Sequence, residues 1–302
     1  MHTPGYLKLY REGTLKVRIE QAVSALSVCT LCPRECGADR TKGRPGFCKT
    51  GRKARVASFG PHFGEESPLV GSHGSGTIFF SSCNLLCTFC QNYDISHLAH
   101  GSEATPEELA SMMVELADSG CHNINFVTPS HVIPQILEAL PCAIEQGLKV
   151  PLVYNTGGYD KVESLKLLEG ICDIYMPDFK FWDSAWSERY CRAPDYRDVA
   201  LKAIKEMHAQ VGDLVIEHGI AVKGLLLRHL VMPNGVAGTE EIMRFIAESI
   251  SRHTYVNVMN QYRPCYTSMG DEIIGRSLTI GEYTRAVQAA RTAGILRLDK
   301  HN

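Results

Sequence analysis

No stretch of this 302-residue chain carries the long apolar run that a bilayer-spanning helix needs. Neither sign of charge dominates: 31 Lys and Arg stand against 33 Asp and Glu, a formal net charge of −2, so there is no basic footprint for nucleic acid. The first ten residues, Met1 to Tyr10, lack the apolar core of a secretory signal. Low-complexity tracts and internal repeats are missing too. These absences predict a soluble, cytoplasmic protein with no membrane and no nucleic-acid partner. Tryptophan is scarce, at 2 residues, but cysteine is not, at 12. In a cytosolic setting that number argues for reduced thiols and metal sites rather than a disulfide framework.

Three of those cysteines fall within eight residues. Cys83, Cys87 and Cys90 lie in Ser81-Ser82-Cys83-Asn84-Leu85-Leu86-Cys87-Thr88-Phe89-Cys90-Gln91-Asn92, directly after the apolar run Thr77-Ile78-Phe79-Phe80. Four thiolates normally complete a cubane iron–sulfur cluster, so three leave one iron open to a ligand. A zinc site completed by His97 or His100 is the structural alternative, Cys3His being an ordinary tetrahedral set. Zinc loops usually pair cysteines across a turn and draw the rest from a distant knuckle. Here all three sit at the C-terminal end of a predicted strand, where α/β barrels keep their active sites.

From about residue 76 onward, apolar runs alternate with helical patterns. Strands are predicted at Thr77 to Ser82, Asn123 to Thr128, Pro151 to Asn155, Ile171 to Met176, Gly224 to Met232 and Tyr255 to Met259. Helices are predicted near 105–119, 132–146, 159–168, 196–211, 238–251 and 280–293. Thr105-Pro106-Glu107-Glu108 opens the first with an N-cap, a proline at N1 and acids in the first turn. This alternation implies a parallel sheet with right-handed crossovers. A closed eight-fold barrel takes about 250 residues. Six units in residues 76–302 therefore predict a partial (β/α)6 barrel, with an open doubly wound sheet as the alternative.

Residues 1–75 read as a separate Cys-rich N-terminal extension. A short helix near Glu12 to Ser27 leads into Cys29, Cys32 and Cys36, and Cys48 follows. The segment is too small to hold a core alone, and a metal would compensate. Four thiolates close a coordination shell, either as a structural zinc site or as a second [4Fe–4S] cluster. The remaining cysteines, Cys121, Cys142, Cys172, Cys191 and Cys265, are scattered singly and read as small buried hydrophobes, with Cys265 the one to watch near the last strand's end.

The C-x3-C-x2-C pattern with an aromatic before its last cysteine resembles the cluster loop of the radical S-adenosylmethionine (SAM) superfamily. The stretch from Gly60 to Phe80, the N-terminal cysteines, Gly5-Tyr6-Leu7 and Asn260-Gln261-Tyr262-Arg263-Pro264 are similar to one branch of the pyruvate formate-lyase activating enzyme homologues, the PflX-type proteins. The resemblance implies a [4Fe–4S] cluster on Cys83, Cys87 and Cys90 whose open iron chelates SAM. It implies cleavage to methionine and a 5′-deoxyadenosyl radical that abstracts hydrogen from a substrate, with an electron from a low-potential donor such as flavodoxin or ferredoxin. Phe89 would pack near the adenine. Thr128, in Val127-Thr128-Pro129, stands where many relatives carry Gly-Gly-Glu, so the acidic partner for the SAM ammonium is absent. Asn155 and Thr156, in Tyr154-Asn155-Thr156-Gly157-Gly158, match an Asp-Thr-Asn-Gly segment, with Asn155 in place of the aspartate. Met176-Pro177-Asp178-Phe179-Lys180 matches the activating-enzyme pattern, which places Asp178 and Lys180 near SAM on one face of a strand. Arg228 resembles the strand-five arginine, whose fork suits a carboxylate. Tyr262 falls where those enzymes carry a histidine.

On resemblance the substrate is a glycine of a partner glycyl radical enzyme, with modification of a small molecule or peptide as the close alternative. A non-catalytic metal-binding or electron-transfer protein is the reading from another class, and three cysteines rather than four argue against it. Glu65 and Glu66 read as a solvated loop. His62, His97, His100, His122 and His131 have no partner set visible in the sequence and read as surface or supporting residues.

Overall fold

The computed structural model describes residues 2–299. Its strands are β1 (Ala54–His62), β2 (Ser75–Phe80), β3 (Ser102–Ala104), β4 (Ile124–Val127), β5 (Leu152–Thr156), β6 (Ile174–Pro177), β7 (Val215–Glu217), β8 (Ile220–Leu230), β9 (Tyr255–Met259) and β10 (Arg297–Leu298). They form one sheet in the order β10-β9-β8-β6-β5-β4-β2-β1-β3, with β7 paired to β8 off that path. From β2 to β10 along that order every neighbour is parallel, while β1 runs antiparallel to β2 and β3. The sheet keeps two free edges, as a partial barrel does. All six predicted strands are present, as β2, β4, β5, β6, β8 and β9.

The parallel strands are buried almost throughout because helices cover their outer face. The helix Pro106–Asp118 starts as its sequence predicts. Thr105 Oγ1 accepts from the Glu108 amide at 3.2 Å, and the Glu108 carboxylate accepts from the Thr105 amide at 2.8 Å. The predicted helix at 238–251 is instead an α-helix, Thr239–Phe245, that relaxes into a π-turn over Ile246–Ile250. Helices Gly5–Arg11 and Ser184–Cys191 were not predicted.

Two-residue periodicity on β5, β6, β8 and β9 sorts the inward side chains into layers. Val153, Ile174, Met176, Leu226 and Tyr255 form an apolar layer, into which Leu69 inserts from the short helix Ser67–Val70. Two residues further along each strand the inward positions become Asn155, Asp178, Arg228 and Asn257. Register places the last three side by side, Asp178 bridging Arg228 and Arg228 opposite Asn257. An apolar floor thus carries a polar layer nearer the strands' C-terminal ends.

Candidate active site

The loop after β2 bends sharply. Ser82 and Leu86 both take left-handed backbone, at φ 74° and 58°, and Thr128 does so at the end of β4, at φ 61°. Non-glycine residues hold such angles only where surrounding structure fixes them. In this loop the bend turns the Leu85 and Leu86 amides toward Cys83 Sγ, the Leu85 nitrogen lying 3.4 Å away. Cys83, Cys87 and Cys90 then face one cavity, lined opposite them by Thr128, Asn155, Thr156, Asp178, Lys180 and Arg228. The structure therefore brings together every predicted site residue of the barrel except Phe89. That ring is buried against Phe181 and Tyr262, at centroid distances of 5.9 and 6.1 Å. Tyr262 is itself a core residue, its hydroxyl donating to the Ile274 carbonyl at 2.6 Å.

Burial pushes the Cys83 thiol up to about 12 and raises Cys90 as well. Cys87 is raised well above its ordinary value, first by the neighbouring Cys191 thiol, whose Sγ lies 3.2 Å away, and then by burial. Cys191 is thus no isolated hydrophobe. Among the described residues no three His, Cys or carboxylate side chains close around a single ion. The three thiols instead line one wall of a cavity that also carries ammonium, guanidinium, amide and carboxylate groups. That donor set suits a cluster with one open iron and a zwitterionic ligand beside it.

The charges opposite the thiols are coupled. Asp178 Oδ2 accepts from Lys180 Nζ at 2.6 Å and Oδ1 from Arg228 Nε at 2.8 Å. Burial alone would raise Asp178, but Arg228 and Lys180 outweigh it and hold the carboxyl below its usual range. Burial would lower Lys180, yet Asp178 beside it holds the ammonium charged. Arg228 also donates to Asn155 Oδ1 at 2.8 Å and pairs with Glu65 at 3.5 Å. Its fork is therefore engaged by this chain's own groups. The Thr156 hydroxyl is committed as well, donating to Asp160 at 2.6 Å.

Glu65 and Glu66 correct the sequence reading of a solvated loop. Their side chains are 8 % and 3 % exposed, because Leu69 anchors the loop inside the barrel. Glu66 Oε1 accepts from Asn257 at 2.9 Å, whereas its buried Oε2 has no hydrogen-bond partner among the described residues. Burial raises Glu65, partly offset by Arg228. With Arg228, Asn257 and Gln261 these acids line a polar cleft of about 260 Å³ that adjoins the thiol cavity through Arg228. The signal for them was the pair of acids between Gly64 and an apolar turn.

The segment that carries the four N-terminal cysteines packs against the cysteine loop through Arg34. Arg34, between Cys32 and Cys36, donates to the carbonyls of Asn84 at 2.9 Å, Cys191 at 3.1 Å and Arg192. His131 is buried rather than at the surface, with Nε2 donating to the Ser81 carbonyl at 2.9 Å. Cys265 is half-buried and does not line the cavity. Among the described residues no helix is long and apolar enough to cross a membrane.

Comparison with known proteins agrees with this geometry. The family model described as "Radical SAM superfamily" matches residues 77–222. An uncharacterized protein of Methanocaldococcus jannaschii, MJ0674, is 34 % identical over 292 residues, covering 94 % of this chain and 80 % of that protein. Among solved structures, a radical SAM methyltransferase from Sphaerobacter thermophilus superposes with a TM-score of 0.51 at 14 % identity, over 74 % of this chain and 65 % of that one. HydG, a maturase of the [FeFe]-hydrogenase, superposes with a TM-score of 0.52 at 16 % identity, over 74 % of this chain and 50 % of that one. The chain spans less than two thirds of either solved structure, and the likeness to both is one of fold.

Proposed function

The chain belongs to the radical SAM superfamily, and we propose that it takes a hydrogen atom from a small, hydrogen-bond-donating substrate held in the cleft beside Arg228. When bound, the cluster and SAM supply one-electron cleavage to methionine and a 5′-deoxyadenosyl radical, which becomes 5′-deoxyadenosine on taking the hydrogen. Cys83, Cys87 and Cys90 hold the cluster, displacing their protons as they bind. Lys180 and Asp178 meet the charged groups of SAM, with Asn155 and Thr128 lining the same cavity. A low-potential donor such as flavodoxin or ferredoxin supplies the electron.

The observation that carries the substrate reading is the unpartnered Glu66 Oε2 at the cleft. A buried acceptor left unmade costs about 1–3 kcal/mol, more for a charged group, and a donor on the substrate would remove that cost. The cleft and the cavity it adjoins hold three carboxyl groups, Asp178, Glu65 and Glu66, against the two cations Lys180 and Arg228, which favours an amine. A specific observation also supports the activase reading: Met176-Pro177-Asp178-Phe179-Lys180 keeps the pattern of the enzymes that act on a glycine of a partner glycyl radical enzyme.

Reconstituted protein, SAM and dithionite, mixed anaerobically, are expected to yield 5′-deoxyadenosine that is absent with Cys87→Ala. Small amines are then screened for acceleration above that basal rate, an acceleration that Glu66→Gln should abolish while the basal rate persists. No amine effect, together with a glycyl radical signal in a partner enzyme, would replace the small-molecule reading with the activase one.

A further inference from the structure

Cys29, Cys32, Cys36 and Cys48 form a second group of thiols outside the barrel cavity. The turns of their loop draw them together, Gly37 N donating to the Cys29 carbonyl and Glu35 N to that of Cys32, each at 3.0 Å. Cys32 lies within electrostatic reach of the other three, and Cys36 is hydrogen-bonded by Cys29. Backbone amides are aimed at the sulfurs, that of Arg34 at Cys32 and those of Ala38 and Phe47 at Cys36. Gly46 passes so close that a Cβ there would stand 2.3 Å from Cys36 Sγ. The apolar cluster under this loop contains three buried residues, Leu26, Cys29 and Leu31, which is too little to order it.

A second observation is independent of the thiols. Arg40 is fully buried, its Nε donating to the Gly51 carbonyl at 3.1 Å and its Nη1 to that of His131 at 2.8 Å. Nη1 also lies 3.8 Å from Cys29 Sγ, and buried Nη2 has no partner among the described residues. Among the described residues, none of the groups it bonds is a carboxylate. A buried guanidinium facing only neutral thiols and carbonyls would be an uncompensated charge, which is strongly destabilising.

We propose that Cys29, Cys32, Cys36 and Cys48 hold a metal centre through four thiolates and that Arg40 is its buried countercharge. The four thiols release four protons, and a 2+ core then leaves the centre with a charge of −2 whether the core is zinc or a [4Fe–4S] cubane. Among the described residues neither these thiols nor Cys83, Cys87 and Cys90 close around a single point. Zinc and cubane share this tetrathiolate chemistry, and metal analysis separates them.

The test uses full-length protein carrying Cys83→Ala, Cys87→Ala and Cys90→Ala, so that any tightly held metal belongs to the second site. The expected result is about one zinc without acid-labile sulfide, or about four irons with four sulfides. A chain that stays metal-free after anaerobic incubation with zinc, and with iron and sulfide, overturns the site. In the same background Arg40→Gln is expected to weaken metal retention against a chelator by about 10–100-fold, as loss of an outer-shell partner does. Arg40→Lys, which keeps the charge, should restore much of it. Unchanged retention in Arg40→Gln overturns the role of Arg40. With the barrel cysteines gone, neither result depends on SAM cleavage.

Discussion

At the residue scale, His229 shows how the polar layer is supported from outside. It follows Arg228 on β8, so its side chain points to the opposite face of the sheet, where Nδ1 donates to the Phe179 carbonyl at 2.8 Å and Nε2 accepts from the Thr239 hydroxyl at 2.8 Å. That pattern requires a neutral ring. Burial lowers its pKa to about 4, only partly opposed by the bond to Phe179. Unfolded, the ring would titrate near 6.5. Between those values the unfolded chain binds a proton that the native chain refuses, so stability is fully present above about pH 6.5 and falls as pH drops toward 4. Buried His131, also lowered to about 4, adds to the same slope. Each contributes on the order of 1.4 kcal/mol per pH unit inside the window. Chemical denaturation of the full chain at pH 7 and pH 5 should show this loss. In His229→Gln, whose amide can make both bonds, the loss should be smaller by one histidine's share. An identical loss in the variant would mean that His229 is protonated in the native protein.

At the element scale, the close packing of the segment after β5 against the segment after β6 controls where Asp178 sits. Gly158 has φ 77°, and a Cβ there would stand 2.2 Å from the Asp178 carbonyl oxygen. Tyr196 locks the same spot, its hydroxyl donating within hydrogen-bond reach of the Gly157 and Asp178 carbonyls and accepting from the Lys180 amide at 2.9 Å. Gly158→Ala is therefore expected to push Asp178 and Lys180 out of register with the thiols. SAM affinity, read by calorimetry on cluster-loaded protein, should fall at least about tenfold, equivalent to about 1.4 kcal/mol. Unchanged affinity would show that this turn does not position the pair.

Much of this was legible in the sequence, because strand, loop and helix signals are local. The C-x3-C-x2-C loop and the Asp178–Lys180 spacing state their own geometry, and six of the seven strands of the parallel run read as apolar segments. The inward face of Glu65 and Glu66 was not legible, because it depends on Leu69 reaching strands more than eighty residues away. β1, with Gly60 and Pro61 in it, and the two-residue β10 carry almost no strand signal of their own; pairing with a neighbour creates them. The burial of Arg40 was not legible either, since nothing local reveals that the turn carrying His131 packs against it.

At the scale of the whole molecule, the cysteine-rich extension and the barrel are keyed together by Arg34. Its guanidinium stacks on Phe47 from the extension, 4.1 Å from the ring centroid, while donating to carbonyls in two separate barrel segments. One of those carbonyls belongs to Asn84, next to Cys83, so the loop that carries Cys83, Cys87 and Cys90 is braced by a residue lying between two cysteines of the N-terminal group. A planar fork can serve three carbonyls fanned in this way, whereas an ammonium is a single point. Arg34→Lys should therefore keep the charge yet lose most of the brace. Hydrogen bonds from a charged donor are worth about 1.5–3 kcal/mol, so a loss of about 2 kcal/mol is expected for the junction. Hydrogen exchange read by mass spectrometry localises it. Amides of residues 83–90 should exchange faster in the variant, while the helix Tyr196–Val211, which has no bond to Arg34, should keep its wild-type protection. Uniformly faster exchange would mean general destabilisation, and no change at residues 83–90 would mean that the two cysteine loops hold their places independently.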